Sequence, residues 1–104
     1  MKDIQGMLKR AQALQAKMTE MQSELRTREL TGTAGGGKVK ITMNGAQEVT
    51  AIRIEPDVVR PEDADVLEDL VLAAFRDARA KIGRMVEEEM SRVTGGLGLP
   101  PGLF

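Results

Sequence analysis

The segment from residue 32 to residue 38 comes nearest to a phosphate-binding motif in this sequence. Gly32 is followed after four residues by Gly37 and Lys38, as in the loop whose backbone amides and lysine hold phosphates. Val39 stands where that motif needs Ser or Thr to bind Mg²⁺. A helical pattern also precedes the segment, whereas a phosphate-binding loop leads from a strand into a helix. We therefore interpret the segment as a turn between a helical region and a sheet.

The residue types that most often carry catalysis are missing. The 104 residues include no His and no Cys, which removes the commonest general base, thiolate chemistry and disulfides. Phe75 and Phe104 are the only aromatic residues, so stacking platforms for single-stranded nucleic acids are nearly absent. No pairing of a nucleophile with a base is visible either. The sequence therefore predicts a protein that is not an enzyme.

An acidic cluster follows Pro61 and could be taken for a metal site. Its members are Glu62, Asp63, Asp65, Glu68 and Asp69. Their spacing does not match that of a calcium-binding EF-hand loop. They occupy the predicted first turns of a helix, where carboxylates favour the positive end of the helix dipole. We assign them to helix stabilisation and expect no metal.

Charge is balanced over the whole chain but not along it. Lys and Arg number 15 and Asp and Glu number 16, giving a net charge of −1, so any nucleic-acid site must be a local patch. Basic residues concentrate on the first predicted helix and in the middle of the second. The candidate DNA-binding residues are Lys9, Arg10, Lys17, Arg26, Arg28, Arg76, Arg79, Lys81 and Arg84. The alternative is that these residues form ordinary solvated helix faces.

The first helix is predicted from apolar residues that recur at alternating steps of three and four, without a proline before residue 28. This is a coiled-coil pattern over about three heptads. It predicts a seam that joins two copies of the chain, although packing on a helix of the same chain would use the same pattern. The candidate seam residues are Ile4, Met7, Ala11, Leu14, Met18, Met21 and Leu25.

A small antiparallel sheet is predicted next. Residues 38–43 alternate between polar and apolar, Asn44 and Gly45 form a hairpin signal, and residues 48–54 supply the second strand. A three-residue loop that places Ile41 opposite Val49 keeps one face apolar. In this register Ile52 points to the opposite face of the sheet from Val49. Either a bulge is present or both faces of the sheet are covered at that position.

Residues 29–34 are predicted to form a third strand, because a two-stranded hairpin alone is marginally stable. Three basic residues, Lys38, Lys40 and Arg53, occupy polar positions of the hairpin. We interpret them first as protection of a sheet edge against aggregation.

A second long helix begins after Pro61 and is predicted to end near Val93, because Gly95 and Gly96 follow. Its thirty residues would extend roughly 45 Å, so its C-terminal part should project beyond the sheet. Residues 1–94 form one predicted domain, and residues 95–104 a flexible Gly/Pro-rich tail. The sequence contains no apolar segment long enough to span a membrane and no recognisable signal peptide, so we expect a cytoplasmic protein.

Ordered fragments along nearly the whole sequence resemble the YbaB/EbfC family of bacterial nucleoid-associated proteins. They comprise Met18, Met21, Gln22, Leu25, Gly32, Gly35, Gly36, Gly37, Val39, Asn44, Gly45, Ile52, Ile54, Pro56, residues 67–71 with Ala73 and Ala74, residues 94–96 and residues 99–102. Each fragment is weak alone, but the ordered set is specific.

The resemblance implies an α+β fold with a long N-terminal helix, a three-stranded antiparallel sheet and a long C-terminal helix, in an intertwined homodimer. It implies binding of double-stranded DNA with little sequence specificity, localisation at the nucleoid with effects on nucleoid organisation or gene expression, and no cofactor. The expected partners are DNA and a second copy of the chain, with no membrane and no small-molecule substrate. The alternative function is a protein-interaction adaptor that uses the methionine-rich seam or the apolar C-terminal tail.

Overall fold

The computed structural model describes residues 2–96, which form the predicted α+β protomer. The helices are α1 (Lys2–Thr27) and α2 (Ala64–Gly96). Three strands lie between them in the chain, β1 (Glu29–Ala34), β2 (Val39–Asn44) and β3 (Val49–Ile54). Two short 3-10 turns, Pro56–Val58 and Pro61–Asp63, lead from β3 into α2.

The sheet is antiparallel in the order β1-β2-β3, with a register that differs from the predicted one. Ile41 lies opposite Ile52 rather than Val49, and Met43 is the residue that pairs with Val49. The predicted loop was too short, because Asn44 Oδ1 accepts the backbone N–H groups of Ala46 and Glu48, both at 3.0 Å, and so holds a longer turn. A bulge next to Met43 brings Val49 and Ile52 onto the same face.

The apolar face of the sheet, called the inner face below, packs against α2. Val39, Ile41 and Met43 of β2 are almost completely buried there. Ala74 and Ala78 of α2 are fully buried, because their small side chains let the helix lie close to the sheet. The core also includes Ile82 and Met85 of α2. This packing covers β1 and β2, whereas every residue of β3 remains exposed.

The C-terminal half of α1 is attached to this body and its N-terminal half is not. Met21 and Leu25 are buried against the core, and Leu25 O accepts the N–H of Gly45 at 2.8 Å. From Asp3 to Ala13, every residue except half-buried Gly6 is exposed. The helix therefore projects from the sheet toward its N-terminus.

The second helix is longer than predicted. It continues through Gly95 to Gly96 instead of ending near Val93. Thr94 is buried, and its Oγ1 donates to the carbonyls of Met90 and Ser91 at 3.0 and 3.1 Å. Glycine lowers helix propensity but is sterically compatible with the helix, which explains the late end. The predicted tail from residue 97 onward lies outside the described residues.

Candidate nucleic-acid interface

The glycine segment forms a tight hairpin turn between β1 and β2 and not a loop before a helix. Gly35, Gly36 and Gly37 all have positive φ angles, of 63°, 68° and 92°. Residues other than glycine rarely adopt this backbone conformation. Lys38 Nζ lies 2.8 Å from Asp57 Oδ2 and 3.0 Å from Glu55 Oε2. The hydrogen bond to Asp57 raises the pKa of Lys38, and Lys38 lowers the pKa of Asp57. The lysine is thus engaged by its own chain.

The four candidate basic residues of α2 divide into one that is held by the fold and three that are free. Lys81 Nζ lies 3.1 Å from Asp77 Oδ2 and donates to Thr31 O at 3.0 Å, so it ties α2 to β1. The free residues are Arg76, Arg79 and Arg84, which are exposed and form no ion pair among the residues that the structure describes. The first and last of them lie eight residues apart, or about 12 Å along the helix.

Asp77 completes the connection between α2 and β1. Its Oδ2 accepts the backbone N–H of Thr33 at 2.9 Å. This hydrogen bond, followed by that from Lys81, lowers the pKa of Asp77. The carboxylate therefore serves the fold by joining α2 to β1.

The candidate basic residues on α1 and just after its end divide in the same way. Arg28 NH1 lies 2.6 Å from Glu89 Oε1, and Arg26 lies 3.9 Å from Glu48. Arg92 also pairs with Glu89. The remaining candidates are Lys9, Arg10 and Lys17, which are exposed and have no ion pair within residues 2–96.

The structure brings three of the nine candidates together. Arg28, Lys81 and Arg84 line a shallow cleft with Leu30 and Glu88. The free lysines and arginine of α1 lie on the projecting helix, away from this cleft. The free arginines of α2 lie on a helix that is packed against the sheet. The two helices therefore present separate basic surfaces.

Two exposed cations on the sheet, Lys40 and Arg53, were not among the candidates. They are Cα partners on β2 and β3 and point away from α2, on what we call the outer face. The alternation of residues 38–43 placed Lys40 outward, but the sequence interpretation assigned it to protection of an edge. Lys40 instead lies on the central strand, where no edge needs protection.

The predicted seam of α1 is partly used within the protomer. Met21 and Leu25 are in the core, and Met18 and Leu14 are half-buried. The other three members, Ile4, Met7 and Ala11, are exposed.

An apolar groove lies between β3 and the first half of α2. It has a volume of 720 Å³ and is lined on the sheet side by Ile41, Val49 and Ile52. Val71 and Phe75 are among the residues that line it from α2. The groove exists because α2 covers only two of the three strands.

The described part of the chain offers no group of three or more metal-ligating side chains. Within residues 2–96, neither helix is apolar over a length that would cross a membrane.

Comparison with known proteins identifies the family. A nucleoid-associated protein of Rhodospirillum rubrum is 48% identical over 103 residues, which cover 99% of this chain and 96% of that protein. A nucleoid-associated protein of Granulibacter bethesdensis is 47% identical over 103 residues, which again cover 99% of this chain and 96% of that protein. The crystal structure of an uncharacterized protein from Helicobacter pylori has the same fold, with a TM-score of 0.74 at 16% identity over 88% of this chain and 94% of that one. The profile of the YbaB/EbfC DNA-binding family matches residues 1–97, and the chain belongs to that family.

Proposed function

We propose that this protein is nucleoid-associated and binds double-stranded DNA as a homodimer, mainly through phosphate contacts with little sequence specificity. The observation that carries the proposal is the set of six exposed cations on the two helices that have no acidic partner among the described residues. Family membership and the names of the relatives support it.

The free cations suit phosphate binding because their side chains are long and carry local positive charge. Arg and Lys on exposed helix faces neutralise phosphates and release condensed counterions from the duplex. Contacts of this kind position a protein on DNA without reading its sequence. The net charge of −1 means that the attraction comes from these local surfaces and not from the whole molecule.

The homodimer is supported by the distribution of exposed apolar residues. Nine large apolar side chains are exposed in the described part of the chain, and six of them lie on β3, on the turns or on the first half of α2. The six are Val49, Ile52, Ile54, Val59, Val66 and Leu72. Four of the six, Val49, Ile52, Val59 and Leu72, line the groove. Exposed apolar side chains grouped in this way are typical of a protein-protein interface.

A second copy of the chain is the occupant that this groove accommodates best. The inner face of β3 lacks a covering helix, and α2 carries exposed Leu72 beside half-buried Phe75. In a two-fold symmetric dimer, α2 of each protomer would cover β3 of the other. The inner face of β3 and the exposed apolar residues of α2 would then be buried together. The exposed members of the α1 seam would supply a further contact between the projecting helices.

Binding to duplexes of unrelated sequence over a range of salt concentrations tests the proposal. We expect similar affinity for each sequence and a logarithm of affinity that falls linearly with the logarithm of salt concentration, by about 0.9 for each phosphate contact. Affinity that does not change with salt would contradict the phosphate model. If the protein binds other proteins but no duplex, the result would instead favour the adaptor function.

A further inference from the structure

The outer face of the sheet carries two cations at directly opposed positions. Lys40 on the central strand is the Cα partner of Arg53 on β3 and of Thr33 on β1. All three residues are exposed. Directly opposed residues on neighbouring strands are about 5 Å apart at their Cα atoms, so the two charged side chains leave the sheet side by side.

These two cations are not neutralised by the surrounding chain. The nearby acids Glu55 and Asp57 both pair with Lys38. Neither Lys40 nor Arg53 forms an ion pair in the part of the protein that the structure covers. Like charges opposed across a sheet destabilise it. An anion from outside the chain would relieve this repulsion.

The rest of the outer face is polar, and at the other end of β1 Glu29 Oε2 accepts the hydroxyl of Thr50 at 3.3 Å. Thr31 and Thr42 lie opposite each other with their hydroxyl oxygens 3.0 Å apart, and the next residue across the sheet is Ala51. Hydroxyl groups hydrogen-bond to phosphate oxygens. None of these residues is aromatic, so the face has no platform for unstacked bases. The end of this face that carries Lys40 and Arg53, with hydroxyl groups beside it, suits the backbone of a duplex.

We propose that the outer face, through Lys40 and Arg53, is a second contact surface for the phosphates of duplex DNA, so that the protein joins two duplexes. The inference rests on the proposed function, which places the first duplex on the helices. Helix α2 packs against the inner face at β1 and β2, and its free arginines are exposed to solvent. A duplex bound there is separated from Lys40 by the helix and the sheet, so the two surfaces hold different duplexes.

A bridging assay tests this inference. Bead-bound duplex is mixed with wild-type protein and a labelled free duplex, and the recovery of the labelled duplex is measured beside ordinary binding to one duplex. The Lys40→Gln/Arg53→Gln variant is expected to bind one duplex within about threefold of wild type but to recover the second about tenfold less.

Two control variants make the assay specific. Lys38→Gln/Arg92→Gln removes the same amount of charge from two cations that are already ion-paired, and it is expected to bridge as wild type does. Lys40→Arg/Arg53→Lys keeps the charges and is expected to retain bridging. If the Gln variant unfolds more easily than wild type, Lys40→Thr/Arg53→Thr replaces it, because threonine is favoured in strands.

The outcomes separate this inference from the proposed function. Wild type that binds one duplex but does not bridge overturns the second surface and leaves the proposed function intact. Equal bridging by the Gln variant and wild type, or equal loss in the Lys38 control, also overturns it. Wild type that binds no duplex overturns the proposed function and the bridging inference together.

Discussion

Gly32 shows how one residue can set the distance between two elements. A Cβ atom at this position would overlap the backbone of α2 at Ala74 and Ala78. The backbone φ of Gly32 is ordinary for a strand, so the requirement for glycine comes from packing and not from backbone conformation. The close approach explains why two alanines of α2 are fully buried against β1 and β2.

Gly32→Ala is therefore expected to destabilise the protein by about 3 kcal/mol, because the helix must move away from the sheet. Urea unfolding at fixed protein concentration measures the change. Gly6→Ala is the matched control, since nothing lies within 4 Å of a Cβ at Gly6 on exposed α1. The control should stabilise by up to about 1 kcal/mol through helix propensity. Equal stability of the Gly32 variant and wild type would show that the close approach is not required.

Asp77 acts at the same junction through its charge. The N–H of Thr33, and then Lys81, hold the pKa of this carboxyl below its ordinary value of 3.8. A lowered pKa means that the folded state favours the ionised form. The ionised carboxylate of Asp77 contributes its full stabilisation at pH values above the ordinary pKa. This stabilisation is lost as the pH falls through the lower pKa of the folded state.

Asp77→Asn is expected to lower stability at neutral pH, and the deficit relative to wild type should shrink as the pH falls below about 4. Asparagine can still accept the N–H of Thr33, so the variant isolates the loss of charge beside Lys81. Unfolding measured at several pH values gives the comparison. A deficit that grows with acidity would contradict the assigned pKa direction.

At the scale of elements, α2 has one face for folding and another available for binding. Ala74, Ala78 and Ile82 pack in the core, whereas Arg79 is exposed. Lys81 lies between these faces and is held by β1. The free arginines of α2 therefore lie on a helix that is packed against the core. The unpaired cations of α1 lie on a helix that projects from the sheet.

Arg79→Glu/Arg84→Glu is expected to weaken duplex binding for every sequence alike, by about a hundredfold at low salt, and to reduce the salt slope by about 0.9 for each phosphate contact that is lost. Mobility shifts over a salt series measure both quantities. Arg79→Lys/Arg84→Lys keeps the charges and should bind nearly as wild type does. A loss confined to one sequence would indicate base recognition in place of phosphate contact.

At the scale of the whole molecule, the protomer leaves part of its own sheet uncovered. The apolar groove, with four exposed apolar side chains in its lining, would be costly in water for an isolated monomer. A dimer that covers β3 removes this cost and places two sets of helix cations in one particle. Dimerisation would thereby increase the number of phosphates that one binding event neutralises.

Ile52→Lys tests the proposed interface. Ile52 is 56% exposed in the protomer, so lysine there should leave the monomer folded but disrupt a dimer that buries this position. Light scattering after size exclusion is expected to show a monomer, with duplex affinity lower by about tenfold or more. Ile4→Lys, at 60% exposure on α1, is the matched comparison. A monomer produced only by the Ile4 variant would place the interface on the α1 seam.

The sequence by itself determined the order of the elements and the apolar face of β2. The heptad pattern predicted α1, the alternation of residues 38–43 predicted β2, and residues 29–34 form the expected third strand. These features depend on residues that are neighbours in one helix turn or one strand. Local periodicity is enough to specify α1 and β2, and the third strand follows from the marginal stability of a two-stranded hairpin.

The tertiary structure alone decided the register, the uncovered strand and the partners of each charge. The register depends on the side-chain hydrogen bonds of Asn44 and on a bulge. Arg28 is neutralised by Glu89, which lies 61 residues later in the chain. A basic residue is available to DNA only if no distant acid reaches it. Sequence patterns do not contain such distances, and so only the fold distinguished the free cations from the paired ones.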